Sequence, residues 1–146
     1  MMPNAVLLST LLSFGLLNCA NAGFVDVPPQ QLQGYLEKNA KVVVLFDSSD
    51  PKCTACEPAD GGPFKSLSND YGTSIQFVRV RWPSPWWKFP PAMSAFFKQA
   101  NIMGIPAVVG IEDSRPVFVA AGRMENTDAA RKKIASAMGA VSTKQK

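Results

Sequence analysis

Two thiols three positions apart, Cys53 and Cys56, are the side chains of this chain best placed to do chemistry. With only Thr54 and Ala55 between them, the second sulfur can reach the first, so the bond can open and close without moving the scaffold. The attacking species in disulfide exchange is the thiolate. The pair follows an apolar run and opens a segment predicted to be helical. A thiol at a helix N-terminus faces unpaired backbone N–H groups and the positive end of the helix dipole, and both favour thiolate. Lys52, next door, adds a cation that tunes the thiol pKa in the same direction. On this reading Cys53 is the exposed attacker and Cys56, one turn deeper, resolves the mixed disulfide. The alternative is a plain stabilising disulfide, although so short a loop restricts the unfolded chain only weakly.

Composition narrows the chemistry further. The 146 residues are enough for one domain with its own core. There is no histidine, which removes Ser-His-Asp and Cys-His catalysis and any metal site built on imidazole. No metal, nucleotide or other cofactor is expected beyond the Cys53–Cys56 pair itself. The net charge of +4 is mild and the basic residues are spread out, so nucleic acid is not an expected partner.

The N-terminus reads as a targeting segment. Residues 1–22 carry no charged side chain, Ala5 to Leu17 is largely apolar, and Ala20-Asn21-Ala22 supplies small residues at a cleavage site. The apolar stretch is too short and interrupted for a membrane span. Cleavage after Ala22 is expected, with residues 23–140 as the folded domain and 141–146 as a flexible tail. Asn18 fits poorly before a lipoprotein cysteine, so no lipid anchor at Cys19 is expected. The mature chain then keeps two cysteines, enough for one pair in an exported, periplasmic or secreted setting where disulfides persist, and too few for a four-cysteine zinc site.

The elements that must position the pair follow from pattern. Phe24 to Val27 reads as a short strand and Gln30 to Asn39 as a helix. Lys41 to Phe46 is a continuous β-branched and apolar run, the signature of a central strand covered on both faces. It ends in the loop signal Asp47-Ser48-Ser49-Asp50-Pro51. A helical segment is predicted from Cys53 to about Tyr71, broken or kinked by Asp60-Gly61-Gly62-Pro63, with Phe64 to Tyr71 as a second short helix. Ile75 to Val80 is a strand. Arg81 to Pro91, rich in tryptophan and proline, is neither regular helix nor inner strand. Ala92 to Ala100 is helical, Ala107 to Glu112 and Pro116 to Ala121 form an antiparallel pair, and Asn126 to Met138 is the last helix. Met93 and Met103 are expected in the core, and Arg131-Lys132-Lys133 on a solvated face. Such alternation, closed by a hairpin, predicts an α/β domain with a mixed sheet and helices on both sides.

From about Val42 to Met138 the chain resembles the thioredoxin superfamily. The resemblance rests on the apolar strand leading into Cys53-Thr54-Ala55-Cys56, on Gly104-Ile105-Pro106, which looks like the family's cis-proline segment, and on the terminal strand pair ending at Gly122. It implies a thioredoxin fold, a central mixed β-sheet flanked by helices, with the Trp/Pro-rich stretch as an insertion before the third main helix. It also implies disulfide exchange with protein or small thiols. A cis bond before Pro106 would expose the backbone of Ile105 beside the sulfurs, where an extended substrate could pair as an added strand; the alternative is an ordinary trans edge proline. By resemblance Asp47 is the buried acid that takes and returns the proton of Cys56; the alternative is an Asp closing the turn, with Asp50 as its neighbour. Lys52 in place of the usual tryptophan, and the Thr-Ala pair, depart from the family pattern. The run Cys53 to Asp60 is also locally similar to the thioredoxin-like domain of oligosaccharyltransferase oxidoreductase subunits, whose several membrane spans are not expected here.

Trp82, Trp86 and Trp87 follow a parallel strand, so they should stand near the same sheet edge as the sulfurs. They are expected either to form a shelf for a client or to plug the insertion's own small core. The leading expectation is therefore a thiol–disulfide oxidoreductase acting on exported proteins, with a second protein exchanging its electrons. The alternative is a redox-inactive binding module that holds a partner through the Trp/Pro-rich loop.

Overall fold

A computed structural model describes residues 23–142. The signal-peptide reading of residues 1–22, the question of Cys19, and residues 143–146 of the tail lie outside the described residues.

The central strand forms where the apolar run predicts it. β2 (Lys41–Ser48) is buried from Val42 to Ser48. β3 (Gln76–Trp82) lies parallel to it on one side, and the short β1 (Phe24–Asp26) lies parallel to β3 at the edge. On the other side β4 (Ala107–Glu112) runs antiparallel to β2, and β5 (Arg115–Ala121) antiparallel to β4. The five-stranded order is β1-β3-β2-β4-β5, the mixed sheet that the alternating pattern implies. Asp113 and Ser114, which join β4 to β5, both take the positive φ that two-residue hairpin turns require.

Alternation along β2 divides the core. Val42, Val44 and Phe46 face one way with Val78, Val80 and Trp82, under Leu32 and Leu36 of α1 (Leu32–Lys38) and Phe97 of α3 (Ser94–Ala100). Val43, Leu45 and Phe77 face the other way, under Phe64 and Leu67 of α2 (Gly62–Asn69) and Ala130, Ile134 and Met138 of α4 (Asp128–Met138). The four-residue spacing of those last three keeps one stripe of α4 on the sheet. Gly139, at φ 64°, ends the helix in the left-handed conformation. Each such side chain buried contributes roughly 1.5–3 kcal/mol.

Three expectations are corrected. The largest concerns residues 53–61, which form turns and loop; α2 begins only at Gly62. Gly61, at φ 96°, holds a left-handed backbone there, and Pro63 opens the helix. The cysteines therefore precede the helix and do not occupy its first turn. Met93 is in the core, but Met103 is 87% exposed, because it follows the left-handed stop at Asn101 and stands in a loop. Arg131 does not belong to a purely solvated face: its guanidinium pairs with the buried Asp70 at the end of α2.

Candidate active site

Cys53 and Cys56 are joined by a disulfide, with Cα atoms 5.4 Å apart, and both are half-buried. The turn that presents them is built from short-range backbone bonds. Cys53 N donates to Asp50 O (2.9 Å), Thr54 N to Lys52 O (3.0 Å) and Cys56 N to Cys53 O (3.1 Å). The Ser48 N–H at the end of β2 donates to Cys56 Sγ at 3.3 Å. That contact marks Cys56 as the inner sulfur, and it would favour negative charge there once the bond is open. Ser48 thus supplies one of the polar contacts that the sequence reading assigned to a helix terminus.

Two arginines take the place of a helix beneath the turn. Arg79 and Arg81 alternate on β3 and reach the loop after Cys56. Arg79 donates to Ala59 O (3.0 Å) and Pro58 O (3.4 Å), is clamped by both carboxylate oxygens of Asp26 (2.6 and 3.0 Å), and lies 4.8 Å over the Phe24 ring. Arg81 donates to Glu57 O (2.8 Å), to Ser48 O (3.4 Å) and to Asp47 Oδ1 (3.1 Å). Carbonyls that helical N–H groups would otherwise satisfy are held by guanidinium forks. The sequence signal was two arginines at alternate positions of an otherwise buried strand, and the sequence reading gave neither a role.

Asp47 is 0% exposed and pairs in register with Arg81. Burial raises its pKa from 3.8 to about 6, against the opposing charges of Arg81 and Arg79. Its Oδ2 has no hydrogen-bond partner among the described residues. The turn-closing task weighed for Asp47 falls to Asp50, whose Oδ1 accepts from Lys52 N (3.0 Å) and Oδ2 from Trp86 N (3.0 Å). Those bonds, the Lys52 amide first, lower the Asp50 pKa. Lys52 itself is exposed beside Cys53.

A second carboxyl was not singled out in advance. Glu57, directly after Cys56, is 3% exposed. Burial raises its pKa, and the Met124 backbone and the charge of Arg123 oppose the rise. It ties the cysteine loop to the segment after β5.

Pro106 lies at this edge as well. It precedes Ala107, the first residue of β4, which pairs with Phe46 next to Asp47. The Ile105–Pro106 peptide is cis, and Gly122 N donates to Pro106 O (2.8 Å). The end of β2 therefore carries Asp47 and, through Ser48, Cys56, while Lys52 and Cys53 sit on the turn that follows and the cis Ile105–Pro106 peptide leads into the neighbouring β4.

The tryptophans divide. Trp82 is the last residue of β3, only 4% exposed, and packs on Phe89 and Phe97. It is core, and its expected place in a substrate surface is corrected: β3 runs two residues past Val80 and carries the indole inward. Trp86 is half-buried, its carbonyl accepting from Trp82 Nε1 at 2.9 Å. Trp87 is 60% exposed. Among the described residues there is no cluster of three potential metal ligands, and no helix is long and apolar enough to cross a membrane.

No family model matches the sequence, and no curated protein matches it significantly. Solved structures do match. Thioredoxin f from spinach chloroplast superposes with a TM-score of 0.57 at 14% identity, covering 80% of this chain and 95% of its own. Thioredoxin from Trypanosoma brucei brucei gives 0.57 at 15% identity over 81% and 93% of the two chains. The reduced thioredoxin pre-protein of Schistosoma mansoni gives 0.53 at 21% identity over 79% and 98%. At these identities the likeness is one of fold.

Proposed function

Because the chain has a thioredoxin fold, we propose that it exchanges thiols and disulfides with exported protein substrates through Cys53 and Cys56. The observation that carries this reading is a half-exposed disulfide directly after the central strand, with a cis Ile105–Pro106 peptide leading into the strand paired beside it. In the reducing direction, Cys53 thiolate attacks one sulfur of a client disulfide and expels the other as thiolate. Cys56, having given up its proton, attacks Cys53 Sγ and expels the second client thiolate. The client gains two electrons and the Cys53–Cys56 bond re-forms. Oxidation of a client dithiol is the same path reversed. Asp47 takes and returns the Cys56 proton; a buried carboxyl with a pKa of about 6 suits that work near neutral pH. The Ile105 backbone receives the client segment as an added strand. A partner protein supplies or removes the electrons, and the setting is periplasmic or secreted.

Cys56→Ser is the test. It should accumulate mixed disulfides on Cys53, and Cys53→Ser should abolish insulin reduction and client oxidation. Unchanged activity in Cys53→Ser overturns the proposal. The exposed Trp87 favours the second reading, a redox-inactive binding module. A glutathione titration separates the two: a potential far below the local poise means a permanent bond, and one near it means turnover.

A further inference from the structure

The surface around the disulfide is unevenly charged, and the unevenness arises from where the acids go. Of the acidic side chains within three residues of either cysteine, Asp50 and Glu57 are both buried. Asp50 is spent on the Lys52 and Trp86 amides. Glu57 is turned toward the Met124 backbone. Asp47, further in, is paired with Arg81. The exposed ions of the cysteine turn and of the Trp/Pro-rich loop tied to it are cations. Lys52 adjoins Cys53. Arg123 follows Gly122, which bonds Pro106, and both it and Asp60 lie close enough to act on Glu57. Lys88 adjoins Trp87 in the turn anchored by Asp50. The nearest exposed acids in sequence are Asp60, whose carboxylate serves the Gly62 amide at the foot of α2, and Glu125 beyond Met124. Two large apolar side chains complete the rim. Trp87 is 60% exposed, and Met103, at the head of the loop that delivers Ile105 and Pro106, is 87% exposed.

We propose that this face takes an extended polypeptide segment that carries acidic residues around its cysteine and an apolar side chain beside it. This specificity rests on the exchange reading above. Lys52 precedes Cys53 and Lys88 stands on the loop that Asp50 ties to the same turn, so acidic side chains flanking a client cysteine meet cations there. Trp87 and Met103 offer apolar surface to the neighbouring residue, and the rim between them stays wet enough for the pairs to act chiefly on encounter.

The test uses three thiol peptides of one length, each with a central Leu-Cys and with acidic, neutral or basic flanks. They reduce the oxidised protein, and each rate is divided by the same peptide's rate with 2-hydroxyethyl disulfide, which removes differences in thiol acidity. The acidic peptide should outpace the basic one by about tenfold at low salt, and the ratio should shrink toward one at about 0.5 M salt as screening sets in. In Lys88→Gln/Arg123→Gln, which changes only exposed side chains and leaves Lys52, the low-salt ratio should fall to about threefold. Equal normalised rates for all three peptides overturn this specificity and leave the exchange reading standing. Absence of reaction with every peptide, while dithiothreitol still opens the bond, overturns the exchange reading and this one with it.

Discussion

Replacing Asp47 with asparagine should make the protein more stable and its exchange reaction slower, for a single reason. In the fold the carboxyl has a pKa of about 6 instead of 3.8, because burial outweighs the charges of Arg81 and Arg79. In the unfolded chain it returns to its ordinary value, so the folded state binds this proton more tightly. Its contribution to stability is therefore full below about pH 4 and is lost as pH rises through about 6. Above that window the ionised carboxylate costs up to about 3 kcal/mol, taking about 1.4 kcal/mol for each tenfold change in proton affinity. Asparagine keeps the shape and never ionises. It gives up the charge of the Arg81 bond, but Arg81 retains the Glu57 and Ser48 carbonyls and some contact with water. The expected gain at pH 8 is thus at most about 3 kcal/mol, disappearing near pH 4. Urea unfolding of both oxidised proteins across pH 4 to 8 measures it. Insulin reduction by the same variant at pH 7 should fall about a hundredfold or more, since Cys56 has lost its proton acceptor. A variant less stable than the parent at pH 8, or a stability gap that ignores pH, refutes the reasoning.

Arg81→Met should move the other way. It strips the counter-charge from a buried carboxylate and unties the Glu57 carbonyl, so it should cost about 3 kcal/mol at pH 8 in chemical unfolding and displace the acidic limb of the exchange pH profile upward. Trp82→Ala should cost about 3–5 kcal/mol, because it empties the space beside Phe89 and Phe97, whereas Trp87→Ala should stay within about 0.5 kcal/mol and change only client rates. Gly110→Ala should cost about 1–3 kcal/mol, since a Cβ there would collide with the Phe118 ring on the neighbouring strand; thermal unfolding gives the value.

The mixed sheet was legible because period-two and unbroken apolar runs have few other solutions; the order of its strands was not. The cysteine pair stood out by its spacing, whereas Asp47 and the Ile105-Pro106 segment were reached through the family resemblance; Asp47 is buried at the end of β2 and the Ile105–Pro106 peptide is cis. The ground beneath the sulfurs was not. A helix was expected from Cys53 because a helix usually follows such a pair, and the breakers Gly61, Gly62 and Pro63 delay it to Gly62. What holds the loop instead, Arg79 and Arg81, comes from a strand 20 to 24 residues later in the chain, and no local rule connects the two. Trp82 was assigned to the aromatic insertion by its neighbours in sequence, when its register opposite Ser48 makes it the end of a strand. Glu57 passed unnoticed because nothing in sequence distinguishes a buried glutamate from a solvated one. Asp70 and Arg131 illustrate the same blindness in a purely structural pair.

Asp50 has one oxygen on the amide next to Cys53 and the other on the amide next to Trp87. A single side chain thereby fastens the aromatic prow to the hinge of the sulfurs. With the bonds from Ser48 and Ser49 to the Trp82 carbonyl, it makes the aromatic segment and the sulfur-bearing turn one hydrogen-bonded unit.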